Sequence, residues 1–169
     1  MAQTTFSGPV KSLAGFINAG VNTTVSLTAD TSLTVAAHAG KILLCNDADG
    51  KFTLPSIVTT APTDPTSPDQ VNNVGAAFFF YIETAATDLD ILTDGTDKFV
   101  GAVMVAVDDG SKKAFIPAAS NDVITLNGST KGGLVGSVVQ VTAIDAASYL
   151  VHNTLLLGSG TIVTPFADA

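Results

Sequence analysis

Residues 21–35 read VNTTVSLTADTSLTV. Val21, Thr23, Val25 and Leu27 alternate with polar partners, and Leu33 with Val35 resumes the period after a break at Ala29-Asp30. Side chains on a strand point to opposite faces in turn, so this period of two marks a half-buried pair of strands. The same texture recurs outward along the chain, at Lys41 to Cys45, Phe52 to Leu54, Ala77 to Glu83, Phe99 to Val107, Ala114 to Ile116, Val123 to Leu126, Ser137 to Ala143, Tyr149 to Leu157 and Thr161 to Thr164. With one Glu, no Arg and no long run at helical spacing, helix signals are nearly absent. The pattern predicts an all-β chain: an antiparallel β-sandwich, a jelly-roll-like fold or a small barrel.

Four dipeptides that favour left-handed turn geometry lie between these segments: Asp49-Gly50, Asp94-Gly95, Asp109-Gly110 and Asn127-Gly128. Each is flanked by strand-like sequence and is expected to be a hairpin tip.

Two stretches break the rhythm. Residues 59–73, TTAPTDPTSPDQVNN, contain Pro62, Pro65 and Pro68, which remove ladder donors and fix the backbone, so the stretch is expected to be an exposed loop. A loop of that length either projects toward a neighbouring subunit or is slack. Residues 1–20, MAQTTFSGPVKSLAGFINAG, carry Phe6, Val10, Leu13, Phe16 and Ile17 without a period and are punctuated by Gly8-Pro9, Gly15 and Gly20. Extended, such an arm reaches up to roughly 65 Å. Its apolar residues need a surface to leave water, either on another chain or on the chain's own sheet. The expected organisation is an arm over 1–20 and a single β domain over 21–169.

The 169 residues carry 46% hydrophobic and only 13% charged side chains, with a net charge of −8 from seven Lys against fourteen Asp and one Glu. Mean hydropathy is +0.43. Disorder needs the opposite balance. The longest apolar runs, Val74 to Ile82 and Phe99 to Val107, cover nine residues each, well short of the roughly 20 that cross a bilayer as a helix. Nucleic-acid binding needs a cationic stripe and Arg forks, and the chain has neither. Cys45 is the single Cys, which excludes an internal disulfide. No cleavable signal is visible, since the first Lys is Lys11 and Met1 to Phe6 is polar. A chain so poor in charge either offers part of its exterior as an interface or covers it with Thr and Ser.

Chemistry is harder to find. His38 and His152 lie far apart, and no spacing unites them with Cys45 in a metal site or nucleophile relay. Asn46-Asp47-Ala48-Asp49-Gly50 starts like a calcium loop but has Ser56 where the bidentate Glu belongs. Asp88, Asp90, Asp94 and Asp97 form the densest acidic cluster, and paired carboxylates serve glycoside chemistry, yet no Trp or Arg accompanies them. Lys112-Lys113 fits a charged sheet edge. In NGSTKGGLVGS, residues 127–137, Lys131 precedes Gly132, Gly133 and Gly136 where a phosphate loop needs it directly after the second glycine, which points to a turn cluster. The sequons at Asn22 and Asn127 carry no weight without a secretory signal. No cofactor, metal or enzymatic activity is expected.

Several stretches resemble a known group. The opening TTFSGPVKSLAGF (4–16), the middle GKFTLPS (50–56) and GAAFFFYIE (75–83), and the closing DVITLNGSTKGGLVGS (122–137) and LLLGSGTIVTPFADA (155–169) are similar to marine tailed-bacteriophage capsid decoration proteins, also called cement or head-fibre proteins. One departure is Tyr149, near where such domains often place a Trp. The resemblance implies a structural virion protein, made in the host bacterial cytoplasm, that binds the outer capsid surface and stabilises the shell. It implies the major capsid protein as partner and a homotrimer. Partner-binding residues are then expected on the arm, at Phe6, Pro9, Val10, Leu13, Phe16 and Ile17, and on the loop, at Pro62, Pro65 and Pro68. The alternative is a tail-fibre or adsorption module that recognises a host surface glycan.

Overall fold

The computed structural model describes residues 23–60 and 72–169. Thirteen strands and one helical turn follow in order: β1 (Thr24–Leu27), β2 (Thr31–Ser32), α1 (Val35–His38), β3 (Ile42–Cys45), β4 (Lys51–Thr53), β5 (Ala77–Ile82), β6 (Leu89–Leu92), β7 (Lys98–Gly101), β8 (Val103–Val107), β9 (Lys112–Phe115), β10 (Val123–Leu126), β11 (Val138–Ala143), β12 (Ser148–Gly158) and β13 (Phe166–Ala167). They form an eight-stranded sheet in the order β1-β3-β5-β11-β12-β8-β9, with β7 also paired to β12, and a five-stranded sheet in the order β13-β10-β6-β4-β2.

The two sheets close on one core. Leu43, Phe78, Phe80, Val139, Val141 and Tyr149 from the larger sheet and Phe52, Leu89, Ile91, Ile124 and Leu126 from the smaller are fully buried in a single cluster. The rings of Phe52 on β4 and Phe80 on β5 stack across the gap with centroids 6.4 Å apart and planes 18° from parallel. The chain is therefore all-β and built as a two-layer sandwich.

Strand direction is mixed where antiparallel pairing was expected. From β1 to β7 each strand lies in the opposite sheet from the one before it, so the chain coils between layers. Successive turns of the coil place β1, β3 and β5 side by side in parallel, and likewise β2, β4 and β6. The corners stack as well. Asn46 donates to Ser26 and to Glu83 and accepts from Thr84, so the polar groups just beyond β3 and β5 satisfy each other beside the end of β1. The Asp30 carboxylate accepts the Lys51 N–H at 2.8 Å, tying one corner to the next.

That route corrects three of the four expected hairpins. Asp49-Gly50 and Asp94-Gly95 carry the chain from one sheet to the other, and Asn127-Gly128 opens a small turn closed by a Ser129–Gly132 bridge. Only Asp109-Gly110 joins ladder partners, β8 and β9. A left-handed turn residue permits reversal, but the buried face chooses the destination sheet. Leu33 to Val35 does not continue as a strand. Thr34 caps α1, accepting from the Ala37 N–H at 3.3 Å, because Thr before Val-Ala-Ala offers a helix start. Phe99 to Val107 is broken at Gly101, whose φ of +104° kinks it into β7 and β8. Thr161 to Thr164 is not a strand; the closing pair is β13 at Phe166–Ala167.

Candidate interaction surface

The inner face of the larger sheet packs on the smaller one, so its side chains of opposite parity face away from the core. Register places Leu44, Tyr81, Val138, Leu155, Met104 and Ala114 in one row across β3, β5, β11, β12, β8 and β9. At about 4.8 Å between strands this row is about 24 Å long. Leu155 is 41% and Met104 42% exposed, while Leu44, Tyr81 and Val138 are half-buried. A second row runs through Ile42, Phe79, Gln140 and His152. His152 and Thr142 share a 2.9 Å hydrogen bond on this face.

None of the fifteen carboxylates lies in the eight strands of this sheet. Of its three lysines, Lys98 is held by Asp122 at 2.6 Å, and Lys113 turns away to donate to the Ile162 carbonyl at 3.3 Å. Lys112 remains at the β9 margin. Glu83, one residue past the end of the interior strand β5, is exposed and accepts from Asn46 at 2.7 Å. The result is a broad neutral, largely apolar face on a chain of net charge −8. Beside it, Ile116, 79% exposed, lines a shallow groove of about 490 Å³ with Val100, Pro117 and Ala147.

β12 keeps this face continuous through an irregularity. Tyr149 and Val151 point inward, and so does Leu156, so the alternation slips by one at Asn153, whose φ is +47°. The extra residue is a β-bulge opposite Val138 to Gln140. The Asn153 amide donates to Gln140 at 3.0 Å.

The acidic candidates serve the fold. Asp94 is a turn acceptor: desolvation presses its pKa upward, but hydrogen bonds from Ser56, the Asp97 N–H and Thr96 prevail and hold it at about 2. Asp97 is buried and raised, by desolvation first and then by the charges of Asp94 and Asp145, against the lowering effect of the Ile57 N–H. Asp90 lies on β6 between Lys51 and Thr125, and Asp88 precedes it. Among the described residues no three His, Cys, Asp or Glu side chains gather as a metal site. Cys45 is buried, and desolvation pushes its thiol up to about 12. His38 sits against Thr34 instead of joining Cys45 or His152. Lys112 and Lys113 occupy β9, the outermost strand of its sheet. The Asn127 carboxamide oxygen accepts from the N–H groups of Ser129 and Lys131, making that glycine cluster a turn.

Phe6, Pro9, Val10, Leu13, Phe16 and Ile17 of the arm, and Pro62, Pro65 and Pro68 of the loop, lie outside the described residues. The neck of the loop is described. Asn73, buried, accepts from the Val58 N–H at 2.7 Å and donates to the Ser56 carbonyl at 2.8 Å, and its own N–H bonds Val58 at 3.0 Å. The outer-face row was not among the sequence candidates. Its signal was present in AFFFYI (77–82), where an unbroken apolar run leaves both faces of one strand apolar.

Comparison of the chain with protein-family models, with curated proteins and with solved structures gives no match.

Proposed function

We propose that this chain is a structural virion protein that binds the outer surface of a tailed-phage head and stabilises the shell, with the major capsid protein as partner and a trimer as its working form. The observation that carries the reading is the neutral, apolar outer face of the larger sheet on a strongly acidic chain. Its supports are the sequence resemblance and the net charge of −8, which packaged DNA repels and which therefore suits the outside of a shell.

The mechanism is linkage. A protein that binds the expanded lattice and not the dispersed subunits shifts the equilibrium toward the lattice. Many modest contacts, repeated over a shell by a multivalent clip, add up to strong resistance to disassembly.

The test is co-sedimentation of the purified full chain with phage heads that lack it. Saturable binding at a fixed copy number, with heads that then withstand a higher temperature, is the expected result. Failure to sediment with heads, together with retention on washed host cells, would replace this reading with the adsorption module.

A further inference from the structure

We draw no further inference here: the strongest candidate, the apolar outer face of the larger sheet with the shallow Ile116 groove beside it, carries none because nothing in the structure shows what covers it.

Discussion

The phenol of Tyr149, on β12 of the larger sheet, donates a 2.6 Å hydrogen bond to the carbonyl of Pro55, two residues past β4 of the smaller one. The two residues lie 94 positions apart, and the ring of Tyr149 is fully buried. Burial, followed by the nearby charges of Asp97 and Asp94, pushes the phenol above its ordinary pKa, so it stays a donor. Pro55 leads into the neck pinned by Asn73, so one bond joins the core to the base of the proline-rich loop.

Tyr149→Phe is therefore expected to keep the fold and lose stability by about 1–3 kcal/mol, the range for leaving a buried acceptor unpaired. Urea unfolding followed by circular dichroism measures it. An unchanged midpoint would mean that the Pro55 carbonyl has another donor.

Gly101 and Asn153 shape opposite sides of one irregularity. A Cβ on Gly101 would stand 2.3 Å from the Val151 carbonyl oxygen, at a φ of +104° that side chains rarely adopt. Gly101→Ala is expected to cost about 3 kcal/mol or more. Asn153→Val, a β-branched residue at φ +47°, is expected to cost about 1–2 kcal/mol, with Asn153→Gly much milder. Thermal denaturation of the three variants checks the order.

Acid stability follows from the turn around Asp94. Its pKa of about 2 lies below the ordinary 3.8, so the folded chain holds this proton less readily than the unfolded one. Ionised Asp94 contributes stability above about pH 4, and the contribution disappears as pH falls through about 2. Asp122 is lowered too: hydrogen bonds from Lys98 and the Ala169 N–H and the Lys98 charge outweigh desolvation, so it acts in the same direction. Asp97, raised, acts the other way, since its protonation favours the folded chain. The melting temperature is expected to fall between pH 4 and 2, and Asp94→Asn to flatten that fall. An identical slope in the variant would remove Asp94 from the account.

The arm gives the direct test of head binding. A chain that begins at residue 21 is expected to retain its far-ultraviolet spectrum and to stop co-sedimenting with heads. Undiminished binding would show that the arm residues Phe6, Pro9, Val10, Leu13, Phe16 and Ile17 are not the contact.

How much of this was legible differs by level. The short apolar runs at 77–82 and 123–126, rich in aromatic or β-branched residues, located β5 and β10 because such runs suit strands with one or both faces covered. The assignment of strands to sheets was not legible, since β3 and β4 read alike whichever layer they join. β6 escaped because Asp88 and Asp90 made its surroundings look like a turn, and the break at Gly101 was hidden in a run of apolar residues. The outer face was hidden for a related reason. Its members are scattered from Leu44 to Leu155 and become a row only through register.

The coil from β1 to β7 has a mechanical meaning. Each pass through one layer is pinned by neighbours contributed from passes before and after it, so no stretch of this region is a self-contained hairpin that peels away when tugged. A load entering from residue 23 must shear β1 lengthwise against its parallel neighbour β3, breaking a set of bonds together and not one after another. That is the direction in which a sheet resists load best, because its bonds must give way together.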